Sequence, residues 1–385
     1  MGAGAATAFS MAMQPQDFRA GAALPSWSAP AGAGSACIGQ ATHGSASMAQ
    51  GPASAPTGAP TTASAISANS RRARDWRSRP NMRAAYHRGG RAASQRLPPP
   101  AVALDRCIMT EETQLKGRVL IIAGSDSGGG AGIQADIKAV TAAGGFAMTA
   151  VTAITVQNTL GVSNVHSVPL GIVAEQIDAV LSDLGADAIK TGMLGTRAMV
   201  ETVAERLHAR ARAIPAVIDP VMVAKGGHPL LADDAVGAVR SEMVPLSALL
   251  TPNAPEAERL AEVAVETLDG QRRAAERLLK RGARAVLVKG GHIDGARFTD
   301  VLATPDGETF FEAERIQTRS THGTGCTLAS AIAARLALGM DLIDAVAEAR
   351  DYVFEAIRRA PGFGAGHGPL DHAWPLRAAA ERAKA

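Results

Sequence analysis

The chain has 385 residues, 46% of them hydrophobic, three cysteines and a formal net charge of +3. Residues 1–108 carry eleven arginines, no lysine and three aspartates, or +8, so residues 109–385 carry −5. A mildly acidic body argues against a nucleic-acid surface. No apolar run is long enough for a bilayer, and the body's lone cysteine, Cys326, rules out an internal disulfide there and suits a reducing cytoplasm.

Residues 1–108 are mostly Ala, Gly, Ser, Pro and Arg. They offer too little apolar surface to offset chain entropy, so disorder is expected. An Arg- and Ser-rich leader poor in acids fits an organelle transit peptide, yet no amphipathic period runs through it. A start site mis-assigned upstream of Met109 is the preferred reading, with "RRARDWRSRPNMR" a solvated basic run. Residues 109–385 are the size of one large α/β domain.

In chain order, "VLIIAG" (Val119–Gly124) is a short apolar run stopped by glycine, the pattern of a buried strand. "AGIQADIKAVTAAGG" follows with Ile133, Ile137 and Val140 at helical spacing and Gly144 as the stop. "FAMTAVTAITVQN" is β-branched and strand-like, and "DAIKTGML", "AVIDPVMV", "ALLTPN" and "AVLVKGG" read as later strands. Helical stretches such as "GIVAEQIDAVLSDLG", "RAMVETVAERLHARA" and "QRRAAERLLKRG" separate them. Such alternation predicts an α/β fold, a mainly parallel central sheet with helices on both faces. "FTDVLATPDGETFFEAERI" predicts a small β-hairpin around "PDG", a lid or a contact surface, and two helices, from Gly325 and from Asp341, finish the chain.

Ligands of such sheets bind beyond the carboxyl ends of the strands, and polar residues collect there: Asp126, Gln157, Asn158, Asp219, Asn253 and Lys289, with Met193 beside them. "GGGAGIQAD" formally contains a dinucleotide fingerprint, but the turn is too long and the later acid is missing; no P-loop occurs either. Five glycines from Gly124 to Gly132 instead suit backbone wrapped round a small flat substrate, with Asp136 hydrogen-bonding it; a flexible turn and a solvated acid are the alternative. Gln157 offers a donor and an acceptor to a heterocycle edge, or is a satisfied loop amide.

Asp219 and Glu256 at the sheet mouth suit Mg²⁺, which takes few protein ligands; Asn253 and Glu256 alone also read as a helix cap. Lys289 ends a buried strand and needs an anion beside it, such as phosphate. Gly323, Thr324, Gly325 and Cys326 open an apolar helix, whose unpaired N–H groups and dipole form an anion hole and should lower the Cys326 thiol pKa. A small buried thiol without a role is the alternative.

Taken together, "AGSDSGGGAGIQADIKA", "VQNTLGV", "KTGMLG", "DPVMVAKGG", "LTPNAPEAERL", "VLVKGGH", "THGTGCTLASA" and "GHGP" resemble the ribokinase-like superfamily. Within it they are similar to the bacterial hydroxymethylpyrimidine/phosphomethylpyrimidine kinases of thiamine biosynthesis, from about Val119 to Trp374. The resemblance implies ATP- and Mg²⁺-dependent phosphorylation of an aminopyrimidine alcohol, then of its monophosphate. It implies pyrimidine contacts at Gly124, Asp136, Gln157 and Met193, and nucleotide and metal contacts at Asp219, Asn253, Glu256 and Lys289. Thr324 and Gly325 would hold the transferring phosphoryl, with thiolate Cys326 where most of the superfamily has a catalytic Asp. A homodimer is implied as well. The loop "SDSGGG" departs from the Pro-Ser that many relatives carry, which bears on loop stiffness. A pyridoxal kinase of the same superfamily is the nearest alternative, and a non-catalytic pyrimidine sensor the more distant one.

Overall fold

The computed structural model describes residues 117–383. The extension 1–108, the start at Met109, and Cys37 and Cys107 lie outside the described residues.

Strand β1 (Arg118–Asp126) is buried on both faces, as its unbroken apolar run requires. Its side chains alternate between two cores: Leu120 and Ile122 point to one, Val119, Ile121 and Ala123 to the other. After a glycine turn comes α1 (Gly132–Ala142). Ala135, Ala139 and Val140 are its buried apolar face, whereas Ile137 is exposed, so the inward stripe runs through alanines rather than through Ile137. Gly144, at φ 83°, ends the helix in the left-handed conformation that glycine adopts without strain.

β2 (Phe146–Asn158) and β3 (Gly161–Ser167) form an antiparallel pair, and α2 (Leu170–Asp183), β4 (Ala188–Thr191), α3 (Arg197–Arg210) and β5 (Ala216–Ile218) follow. Pro220 ends β5 promptly, since proline has no N–H to give a neighbour. A short α4 (Ala235–Ala238), a π-turn (Val239–Met243) and α5 (Val244–Leu246) lead to β6 (Leu249–Leu250). Then come α6 (Ala254–Ala261), α7 (Leu268–Lys280), β7 (Val286–Val288), β8 (Arg297–Thr304), β9 (Gly307–Glu314), α8 (Thr324–Ala337), α9 (Leu342–Arg358) and α10 (Trp374–Arg382).

The nine strands make one sheet in the order β3-β2-β1-β4-β5-β6-β7-β8-β9. The six from β2 to β7 in that order are mutually parallel; β3, β8 and β9 are antiparallel additions at the two edges. The expected hairpin therefore exists, but β8 pairs with β7 and extends the sheet. Phe298 stacks on Phe354 of α9, and Arg350 binds Asp300 at 2.8 Å, which fixes the hairpin to the body rather than leaving it a free lid.

Helices α2, α3, α6 and α7 cover one face; α1, α8 and α9 cover the other. α8 is almost wholly buried from Thr327 to Ala334, and its alanines and Ser330 let α1 and α9 pack close on either side. α10 is a third C-terminal helix where two were expected; it buries no residue fully, so its apolar stripe was too weak to register in the sequence.

Candidate active site

Every parallel strand ends at the same rim, and the expected polar residues gather there. Two glycine loops meet at its centre. Gly323 has φ 78°, and a Cβ on it would stand 1.8 Å from the Gly130 carbonyl oxygen, so the β1–α1 loop and the start of α8 touch backbone to backbone. Asp126 fixes the first loop: its carboxylate accepts from the N–H groups of Gly128 (2.8 Å), Gly130 (3.0 Å) and Ala131 (2.8 Å). It also takes His322 Nε2 at 2.9 Å, and this ring and those N–H groups hold Asp126 below the usual carboxylate range, despite the burial that opposes it. His322 Nε2 lies 3.2 Å from Gln157 Nε2, while Thr155 donates to Gln157 Oε1 at 3.1 Å.

On the other side of the first loop, Gly124 and Met193 are neighbours: a Cβ on Gly124 would lie 3.1 Å from Met193 Sδ. Gly132, at φ 55°, has a packing duty, since a Cβ on it would come within 2.4 Å of the Gly124 carbonyl oxygen.

The acidic end is tightly wired. Lys289 Nζ donates to Asp219 Oδ1 at 3.1 Å, and Thr251 Oγ1 donates to the same oxygen at 3.1 Å. So the anion beside Lys289 is a carboxylate of the protein. Asn253 and Glu256 form a reciprocal capping box: Asn253 N donates to Glu256 Oε2 (2.8 Å) and Glu256 N to Asn253 Oδ1 (2.9 Å). Burial pushes the Glu256 carboxyl up to about 7, with Asp219 adding to the rise and Lys289 opposing it. Two buried carboxylates thus share one ammonium, and the nearby Thr191 hydroxyl is buried without a hydrogen-bond partner. That donor set fits a hard divalent cation that keeps most of its waters. Among the described residues no three His, Cys, Asp or Glu side chains form a complete metal cage.

Gly325 faces this cluster: a Cβ there would stand 3.4 Å from Lys289 Nζ and 3.8 Å from Asp219 Oδ2. No side chain caps the start of α8, while the Thr324 hydroxyl turns back to the Thr321 carbonyl at 2.8 Å. Thr324 N donates back to the Thr321 carbonyl at 3.4 Å, and the N–H groups of Gly325 and Cys326 face the space beside Lys289, where an anion would sit.

Two expectations change. Asp136 is fully buried, with Lys190 Nζ at 2.9 and 2.8 Å from its two oxygens and Ser330 Oγ at 2.7 Å. It braces α1, β4 and α8 beneath the rim, its carboxylate taken up by Lys190 and Ser330. The thiol of Cys326 is pushed up to about 11 by burial, first of all, although Lys190 and the Gly132 N–H pull it down. Desolvation, with Asp136 and Asp219, outweighs Lys190 and the Gly132 N–H, so the thiol is protonated at neutral pH. Lys190 was missed in the sequence because it hides inside an apolar strand run; burial lowers its basicity, but Asp136 above all, with Asp219, more than offsets this and keeps it charged. His322 was also missed, a lone histidine in a glycine turn with nothing in its spacing to mark it.

Comparison with known proteins agrees with this geometry. The phosphomethylpyrimidine kinase family profile matches residues 126–371. The chain is 46% identical over 260 residues to the hydroxymethylpyrimidine/phosphomethylpyrimidine kinase of Bacillus subtilis, covering 66% of this chain and 94% of that one. It is 49% identical over 259 residues to the thiamine biosynthesis bifunctional protein ThiED of Geobacter sulfurreducens, covering 67% of this chain but only 52% of that longer protein. Among solved structures it resembles an ADP complex of Bacillus subtilis pyridoxal kinase, with TM-score 0.63, 34% identity, and 68% and 99% of the two chains covered. Glycine loops back to back, a lysine against paired carboxylates and a family match across the whole rim agree: the chain belongs to the phosphomethylpyrimidine kinase family, on the ribokinase-like fold.

Proposed function

We propose that this protein transfers the γ-phosphoryl group of ATP to the hydroxymethyl group of 4-amino-5-hydroxymethyl-2-methylpyrimidine, and then to the monophosphate, in thiamine biosynthesis. The observation that carries the reading is the meeting of Gly325, Lys289 and Asp219 at the uncapped start of α8. Phosphoryl transfer needs positioning and electrostatic stabilisation more than covalent help, and this rim supplies both.

Gln157, Gly124 and Met193 hold the ring. Lys289 and the N–H groups of Gly325 and Cys326 hold the transferring phosphoryl, with Asn253 on the nucleotide side. Asp219 and Glu256 would hold Mg²⁺, which neutralises phosphate charge when bound. With its thiol protonated, Cys326 orients the acceptor hydroxyl through hydrogen bonding and takes no proton from it. In a loose transition state the acceptor proton leaves late, so a strong base gains little. The enzyme works in the cytoplasm as a homodimer.

The solved neighbour titled pyridoxal kinase gives the second reading its weight. An ADP-release assay with both acceptors separates the two. The expected outcome is a kcat/KM for the pyrimidine alcohol at least ~10-fold above that for pyridoxal, since the Gln157 edge is matched only by the pyrimidine. Preference for pyridoxal would reassign the acceptor, and no ADP with either would reject the kinase.

A further inference from the structure

Lys225 stands on a small flap. Ala224 N donates to the His228 carbonyl at 2.8 Å, Gly227 N to that of Ala224 at 2.9 Å, and Val223 bridges Pro229, so the flap's backbone is closed on itself. Its tip abuts the β2–β3 turn: a Cβ on Gly226 would lie 3.4 Å from the Leu160 carbonyl oxygen. Beside it lies a narrow cleft lined by Lys225, Gln157, Asn158, His322 and His367. The flap thus brings an ammonium to the same cleft that Gln157 lines.

Among the described residues that ammonium has no anionic partner. Burial alone lowers its basicity, and no carboxylate offsets the effect. Lys225, Lys289 and Arg315 all act on His292, so three cations stand around that ring. Lys289 is already matched by Asp219, and Arg315 is tied to the Gly291, Ile293 and Gly295 carbonyls at 2.7–3.0 Å. Lys225 is left as an exposed cation lining the cleft, with no carboxylate partner among the described residues.

We propose that Lys225 binds the phosphate of the monophosphate acceptor and so sets the enzyme's preference for the second transfer; this rests on the kinase reading above. The two transfers differ in one physical respect. The first acceptor is a neutral alcohol, whereas the second is a phosphate monoester carrying roughly −1.5 to −2 at neutral pH. In the second step an oxygen of that phosphate bonds to the γ-phosphorus while the bond from that phosphorus to the β–γ bridging oxygen breaks, and ADP leaves with the electron pair. Two anions must therefore approach. A cation on the acceptor side offsets their repulsion, and Gln157 across the cleft holds the ring meanwhile.

The test compares wild type with Lys225→Gln and Lys225→Arg in the full-length chain. It measures kcat/KM for alcohol and for monophosphate and KM for ATP in each reaction. Losing one charge-assisted contact is worth roughly 10- to 100-fold. The ratio of monophosphate to alcohol kcat/KM should fall by about that factor in Lys225→Gln and largely recover in Lys225→Arg. An unchanged ratio overturns the proposal. So does an equal fall in both transfers with a raised KM for ATP, which would move the contact to the nucleotide's phosphate. Calorimetric binding of the monophosphate without nucleotide gives a second readout: its affinity relative to the alcohol should drop in Lys225→Gln, and a constant ratio again counts against the idea. If wild type releases no ADP with either acceptor, the kinase reading fails by itself, while calorimetry still tests Lys225.

Discussion

At Cys326 two opposing effects act on one atom. Burial above all, with Asp136 and Asp219, favours the thiol; Lys190 and the Gly132 N–H favour a thiolate, and burial prevails with a value of about 11. This gives a definite pH expectation. Between pH 7 and 9 the kcat profile of wild type should show no limb that disappears in Cys326→Ser, and the serine variant should keep activity within about 10-fold, because a hydroxyl can orient the acceptor in the same way. A limb near pH 8 that vanishes in Cys326→Ser would restore the thiolate base. The same residue shows where sequence reading stops. That a cysteine begins a glycine-cushioned helix is plain from "THGTGC", but the sign of its pKa shift depends on how deeply α1 and α8 bury it, which is a property of packing. Asp136 is similar: its place one helix after the glycine loop was legible, while its capture by Lys190 and Ser330 was not, because those partners lie 54 and 194 residues away.

At the scale of elements, the start of α6 combines a structural and a chemical duty. Asn253 and Glu256 complete a capping box, worth about 1 kcal/mol to the helix, and the same Glu256 shares Lys289 with Asp219. Its carboxyl is raised in the folded protein to about 7. The metal-free protein therefore gains from Glu256 at low pH and loses that contribution as pH climbs through 7. A divalent cation needs the carboxylate, so stabilisation by Mg²⁺ should grow from pH 6 to pH 8 in thermal-melt measurements and should be flat with pH in Glu256→Gln. Equal Mg²⁺ stabilisation at both pH values in wild type would remove Glu256 from the metal site. The parallel strands and long helices were readable because their apolar periods were strong. β3 was not, since "GVSNVHS" is a largely exposed edge strand whose only requirement is to pair with β2. The β8–β9 hairpin was visible in its turn chemistry, but its fastening to α9 depends on Asp300 meeting Arg350, 50 residues along the chain.

At the scale of the whole molecule, the sheet brings six strand ends to one rim, and α8, buried between α1 and α9, directs its uncapped start at them. No helix among the described residues is long and apolar enough to cross a membrane. The central claim is that one rim joins an acceptor to the terminal phosphate of a nucleotide, twice in succession. Phosphorus NMR on a single sample of the full-length chain with ATP, Mg²⁺ and the pyrimidine alcohol tests it most directly. The monophosphate signal should rise first and then give way to a diphosphate as ADP accumulates. A γ-phosphate signal that stays intact, or decays only to inorganic phosphate, would contradict the account.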